Sequence, residues 1–369
     1  MRAGLYYGWE GTAGSDTQAL LAQVLDQVEL GDHLGFDSCL FAESQFQETR
    51  ASVSVPELIG ALAGTTHGMR LGSANRQIAL QHPARVVENY SVLDQLTNGR
   101  VICGIAVSEH EAGCVTYSVP FDERLPRFEE ALDFMRKAWS YDAFAFNGTF
   151  TKFPRSASGL GKTFEAEPYT KPYLLPWQRV GKKTSYLGIT PRSVQLPYPP
   201  IWIDVTQPAT LTTAATRGCA ILPPASMPHD VVVQRYQGFS AELHAVGRSL
   251  EEIERPLLRD VFVARSRQEA IELAGDAYQA QYRSHAALGE LADADGRHLA
   301  ADECTLEYLL QNHLIMGDPD EVFDQLKVLQ QNTGINHVLC RMAPSGINHL
   351  DVLASMRLFA GEVITRLRS

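Results

Sequence analysis

No stretch of this chain approaches the ~20 consecutive apolar residues that a membrane-spanning helix needs, although hydrophobic residues fill 45% of its 369 positions. Its first residues, MRAGLYYGWEG, hold no apolar run long enough for a secretory leader. The expected setting is therefore cytoplasmic, with no membrane partner. A basic excess is also missing: 32 Lys and Arg stand against 43 Asp and Glu, a net charge of −11. With no basic block to track a phosphate backbone, nucleic acid is not an expected partner. Six cysteines, at 39, 103, 114, 219, 304 and 340, show no paired spacing, which points to buried reduced thiols rather than a disulfide framework. There is no G-x-G-x-x-G after a strand, no Walker sequence, no G-x-S-x-G elbow and no H-E-x-x-H, so the familiar nucleotide-loop, serine-hydrolase and zinc-helix signatures are lacking. The acid–histidine–acid cluster in SEHEAG, Ser108 to Gly113, reads as a solvated loop, and no metal site is expected.

What is present is a regular alternation. Apolar runs of strand length (AGLYYGW, SCLFAE, MRLGSA, RVICGIA, PPIWIDV, CAILPP, LLRDVFVA and NHVLCRM) are each followed by a helical pattern. In the first such helix Leu20, Leu21, Val24, Leu25 and Val28 share a face, Ser15 or Asp16 is placed to cap it, and Gly35 to stop it. Pro56 is placed to open the second. Strand–helix alternation implies a parallel α/β sheet, and eight units imply a (β/α)8 TIM barrel over 1–369, with an open doubly wound sheet as the other solution. Two stretches break the rhythm: 147–199, after the fourth unit and rich in Pro, Gly and aromatics, and 286–303, polar and small. Long irregular segments of this kind serve as lids or binding loops, so both are expected to be mobile covers.

In a barrel of this type chemistry sits at the C-terminal ends of the strands. The second strand ends in Glu43-Ser44-Gln45-Phe46, a run of polar groups after FDSCLFA. Tyr7 and Trp9 end the first strand, either lining a pocket or packing the core. After the fifth strand, Thr206, Gln207 and Thr210 surround a helix start that Pro208 pre-organises. That pattern serves ordinary hydroxyl capping or an anion site made of exposed N–H groups.

The segment Leu71–Arg100 carries a more specific signal: Gly72-Ser73-Ala74, then His82-Pro83, Leu93-Asp94 and Gly99-Arg100, in that order. This resembles the bacterial luciferase-like flavin-dependent monooxygenases. The later MGDPDEVFDQL and the closing LASMRLFAGEVITRL are similar to that family as well. The resemblance implies a (β/α)8 barrel with a flavin at its C-terminal mouth. It also implies a non-proline cis peptide at Ala74-Asn75 beneath the flavin ring and a phosphate site at Thr206, Gln207 and Thr210. His82, Glu88 and Asp94 then take structural roles, and the helices after the second and third strands pack in a homodimer or heterodimer. Two departures stand out. The family commonly has Glu-His-His after the second strand, where this chain has Glu43, Ser44 and Gln45. Luciferase ends its fourth strand with a phosphate-binding arginine, where this chain has Val107; Arg124, Arg127 or the 147–199 insert would have to supply the charge.

The function implied is a monooxygenase that uses O2 and reduced FMN, delivered by a separate flavin reductase, on a small organic substrate. Ser44 and Gln45 would orient substrate or peroxide, with Glu43 behind them. The alternatives are an oxidoreductase that uses a deazaflavin coenzyme, and a flavin-binding or cofactor-less relic without turnover.

Overall fold

The computed structural model describes residues 1–9, 14–43, 46, 53–108, 110–154, 179–180, 183–184 and 187–368. They divide into two compact units, Met1–Arg76 with Ile102–Ile105 and Pro200–Ser369, and Gln77–Val101 with Ala106–Pro199.

The first unit is built on strands β1 (Arg2–Tyr7), β2 (Ser38–Phe41), β3 (Arg70–Ser73), β4 (Val101–Ala106), β5 (Ile201–Asp204), β6 (Ala220–Leu222), β7 (Pro256–Val263), β8 (Leu314–Gly317) and β9 (His337–Arg341). They hydrogen-bond in the order β6-β5-β4-β3-β2-β1-β9-β7-β8. Registers are parallel, with Leu5 opposite Cys39 and Cys340, Cys39 opposite Leu71, and Trp202 opposite Ala220. Such strands are covered on both faces and tend to read as near-continuous apolar runs; β7 has every residue buried, its central Arg259 and Asp260 included. Eight of the nine strands are those the sequence pattern predicts. The ninth, Leu314-Ile315-Met316-Gly317, beside Asp260–Val263 of β7, is too short an apolar run to separate from the helix cap that follows it.

Helices cross between the strands. Helix α1 (Thr17–Leu34) starts where Asp16 accepts the N–H groups of Gln18 and Ala19, and stops at Gly35, whose φ of 85° suits a residue without Cβ. Helix α2 (Val55–Leu62) opens with Pro56 in its first turn. In the second unit lie α3 (Pro83–Leu96), α4 (Glu111–Thr116) and α5 (Arg124–Ser140); the first unit resumes with α6 (Ala209–Arg217), α7 (His229–Ala245), α8 (Arg267–Ala287), α9 (Leu306–Asn312), α10 (Pro319–Thr333), α11 (His349–Leu358) and α12 (Thr365–Arg368). Helix α10 begins with a capping box in which Asp318 and Glu321 each accept the other's backbone N–H.

Two polar networks pin the sheet. At the N-terminal strand ends, Glu254 accepts Arg2 at 2.6 Å, Arg70 at 3.0 Å and the Trp202 indole N–H at 3.0 Å. There His337 bonds Ser38 at 2.9 Å and Arg70 at 3.2 Å. Burial alone would raise the Glu254 carboxyl; Arg70, Arg2 and the indole outweigh it and hold it below its ordinary value. Between β7 and β9, the fully buried Asp260 carboxylate takes two bonds from Arg341, at 2.6 and 2.8 Å, and one from the Tyr282 hydroxyl at 2.7 Å. That geometry answers the desolvation of both charges.

The second unit packs aromatic rings. Phe134 on α5 meets Phe144, Phe146 and Phe153 at centroid distances of 5.2, 5.3 and 5.4 Å. Segment 187–199 is tied to the helices: Asp94 on α3 accepts the backbone and side chain of Gln195, and Arg192 bonds the Ala138, Trp139 and Tyr141 carbonyls that end α5. Residues 155–178 of the expected lid lie outside the described residues. The other expected cover, 286–303, carries its own polar frame: Arg297 pairs with Asp293 at 3.1 Å and Glu303 at 3.0 Å.

Candidate active site

Several of the polar side chains that the sequence singles out stand at C-terminal strand ends of the first unit. Ser73 closes β3, and its hydroxyl donates to the Gly104 carbonyl on β4 at 2.5 Å. A Cβ on Gly104 would lie 2.0 Å from the Ser73 carbonyl oxygen and 3.4 Å from the Ala74 Cα. Only glycine lets the two backbones come this close. The next peptide, Ala74-Asn75, is cis, as the resemblance implies. The Ala74 N–H donates to Phe41 of β2 at 2.7 Å, and Asn75 reaches β5, its amide donating to the Asp204 carboxylate at 2.9 Å.

Glu43 follows β2 and is buried. Its carboxylate lies 3.8 Å from Arg76, which is also buried. Glu43 is therefore charge-balanced from across the strand pair, which suits a fixed positioning group better than a free general base. Ser44 and Gln45 lie outside the described residues. Tyr7 ends β1 and Trp9 follows two residues on, 5% and 1% exposed. Trp9 donates its indole N–H to the Ala42 carbonyl at 2.7 Å, and Tyr7 stacks on Phe41 at 5.8 Å. Both also border a cavity of about 290 Å³ with Gln27, Gln281 and His349. Pocket lining and core packing thus coincide in these two residues. Burial pushes the Tyr7 phenol well above its ordinary value, so it acts only as a neutral hydroxyl.

The helix start after β5 differs from the expected anion cradle. The Thr206 N–H is taken by the Asp204 carboxylate at 2.8 Å. Thr210 is fully buried and turns its hydroxyl onto the Asp204 and Gln207 carbonyls, at 2.8 and 2.7 Å. The Thr210 and Leu211 N–H groups close turns onto Gln207 and Pro208 at 3.1 Å. Neither sequence reading is displayed: α6 has no side-chain cap hydrogen bond, and the Thr210 hydroxyl donates to carbonyls instead of accepting an N–H. Asp204 is the site residue that sequence reasoning passed over; the signal available was an acid inside the apolar strand IWIDV.

In the second unit, Val107 is buried and carries no charge. Arg127 pairs with Glu123 at 2.6 Å and lies over the Phe150 ring at 4.4 Å, while Arg124 lies over Phe121 at 3.8 Å and donates to its carbonyl. His82 caps α3 by accepting the Ala84 N–H at 3.2 Å, and Glu88 pairs with Arg85 on the helix surface. Those two contacts are structural, as the sequence reading has them.

The sequence profile described as luciferase-like monooxygenase matches residues 1–337. The chain belongs to the luciferase-like monooxygenase family. It is 30% identical over 135 residues to the alkanal monooxygenase beta chain of Photorhabdus luminescens, a match spanning 37% of this chain and 42% of that one. It is 22% identical over 351 residues to the oxygenase component of the flavin-dependent trigonelline monooxygenase of Acinetobacter baylyi, across 89% and 86% of the two. Among solved folds, the oxygenating constituent of 3,6-diketocamphane monooxygenase from Pseudomonas putida, in complex with FMN, superposes with a TM-score of 0.78 at 18% identity over 99% of this chain and 98% of that one. An F420-dependent secondary alcohol dehydrogenase superposes with a TM-score of 0.72 at 17% identity, over 100% and 99%. At such identities these two likenesses concern the fold alone.

Whether the residues present suit a flavin divides by region. Beside the cis peptide, Asn75 Oδ1 is buried with no hydrogen-bond partner among the described residues; an acceptor of that kind suits a ring N–H. The start of α6 does not suit a phosphate. Its Thr206 N–H and Thr210 hydroxyl are engaged from within, and a carboxylate already stands there.

Proposed function

We propose that this chain is the oxygenase of a two-component, flavin-dependent monooxygenase, an oxidoreductase acting on a small organic substrate. The observation that carries this reading is the β3 end. Gly104 admits the Ser73–Ala74 backbone, Asn75 turns toward β5, and a buried acceptor is left over where a flavin ring would rest. Reduced flavin with O2 supplies the oxygen-transfer chemistry in such enzymes. FMN is the form that the resemblance implies, and its phosphate is the part that the α6 start does not receive. The chain's own contribution is positioning: Glu43, held by Arg76, fixes the strand end that carries Ser44 and Gln45, and those two would orient substrate by hydrogen bonds. Tyr7 and Trp9 offer an apolar wall that excludes water.

The rest of the reading follows from the same family. The strand path would close as a (β/α)8 barrel between β6 and β7, where the Leu258 N–H already reaches the Pro223 carbonyl at 3.4 Å. A single domain over 1–369, covers at 147–199 and 286–303, a dimer through α2 and α3, a separate reductase and a cytoplasmic setting complete the proposal. A relative named as an oxygenase component supports the reductase. The second reading, hydride transfer with a deazaflavin, is favoured by the F420-dependent fold neighbour. The test is a labelled reaction: reduced flavin, 18O2 and a panel of small ketones, aldehydes and aromatic heterocycles. One labelled oxygen atom in a product supports the monooxygenase. Substrate oxidation without label, driven by a deazaflavin and indifferent to O2, would replace it with the second reading.

A further inference from the structure

We infer that Asp204 makes this site select a flavin that lacks the terminal phosphate, an isoalloxazine with an uncharged polyol chain, over FMN. The inference rests on reading the site as a flavin site, and goes beyond that reading in naming the form taken. An anion at a helix start needs N–H or hydroxyl donors and freedom from like charge. Here the Asp204 carboxylate accepts the Thr206 N–H at 2.8 Å and the Asn75 amide at 2.9 Å. It is the anion this loop is built around.

The Thr210 hydroxyl is spent on two carbonyls, Thr210 and Leu211 close their own turns, and Pro208 has no N–H to give. Neither of the two arginines that the sequence pointed to is held in reserve, and 155–178 of the insert lie outside the described residues. Val107 is apolar, Arg127 is paired with Glu123, and Arg124 is stacked on Phe121. Arg235 on α7 lies within electrostatic reach of Asp204, and its charge there offsets the carboxylate already present. Burial pushes the Asp204 carboxyl upward, so the pocket is unfavourable to the negative charge it already has. A phosphate dianion would add to that charge, whereas the hydroxyl that ends a ribityl chain would donate to Asp204.

The experiment uses the full chain freed of flavin and titrated with riboflavin and with FMN, followed by quenching of flavin fluorescence. The wild type is expected to bind riboflavin about tenfold or more tightly than FMN, the scale of one like-charge contact partly screened by solvent. Asp204→Asn keeps the shape and the acceptor for the Thr206 N–H. It should cut that preference about tenfold. Asp204→Ser serves as a second neutral variant should the asparagine fold poorly, with thermal melts confirming both. Wild-type protein that prefers FMN, or a preference unmoved in both folded variants, overturns the inference and leaves the flavin reading standing. If neither flavin binds, the flavin reading itself falls, and this inference with it.

Discussion

Replacing Gly104 by alanine is the sharpest perturbation of the site's scaffold. The added Cβ would sit 2.0 Å from the Ser73 carbonyl oxygen and 3.0 Å from the carbonyl carbon, both of them backbone atoms. No side chain can rotate away to relieve this. Ser73 is held by strand pairing and by its own hydroxyl on the Gly104 carbonyl, so β3 and β4 must separate locally. Inserting a methyl into a packed interior costs about 1–3 kcal/mol. With backbone on both sides the upper end is expected, roughly 3 kcal/mol. Gly361 is the matched control. It lies in the helical turn Phe359–Ile364 with nothing within 4 Å of a built Cβ, and Gly361→Ala should gain about 0.5–1 kcal/mol from backbone entropy. Urea unfolding followed by tryptophan fluorescence reads both variants against the wild type. Opposite signs for one chemical change, with flavin affinity lost in Gly104→Ala, support the account. Gly104→Ala within about 0.5 kcal/mol of wild type, a change typical of neutral surface sites, would refute the claimed close approach.

Other outcomes follow from the buried charges. Arg341→Met strands the Asp260 carboxylate and should cost about 3–5 kcal/mol, whereas Asp260→Leu with Arg341→Met should recover much of that loss; equal losses in the single and double variants would contradict the pairing. Burial, then the nearby Arg259, lowers His313 from 6.5 to about 4. The unfolded chain therefore takes up a proton that the folded one refuses. That stability is present above pH 6.5 and lost as pH falls toward 4, about 3 kcal/mol in all. His313→Phe, between the Tyr282 and Tyr308 rings, should flatten the slope in chemical denaturation across that window. The Glu254 carboxyl, held below its ordinary 4.5, adds a loss that begins only beneath that value, and Glu254→Gln should remove it.

Much of the scaffold was legible because its signals are local. Asp16, Gly35, Pro56 and the strand runs act on neighbouring backbone, and they cap, stop or open the elements expected of them. The β3 end was legible through its motif, Gly72-Ser73-Ala74. The pairings that set its electrostatics join residues far apart in the chain: Glu43 with Arg76 across two strands, and Asn75 with Asp204 over 129 positions. The contact between Asp204 and the Thr206 N–H is local, two residues apart, and passed unread. The hydroxyls at Thr206 and Thr210 therefore suggested an anion site that Asp204, two residues earlier, already fills. β8 escaped for a different reason. Four apolar residues before a strong helix cap have no periodicity of their own, and only pairing with β7 makes them a strand.

The central claim is that the ends of β1 to β5 form a flavin site serving oxygen transfer. Difference absorbance during titration with oxidised flavin, and separately with a deazaflavin, tests it directly, since flavin has two bands in the near-ultraviolet and blue and the deazaflavin one. The account predicts that both flavin bands shift and saturate, and that Asn75→Ala weakens the binding about tenfold, the loss of one buried hydrogen bond. Saturation by the deazaflavin alone, or no spectral change with either, would contradict it.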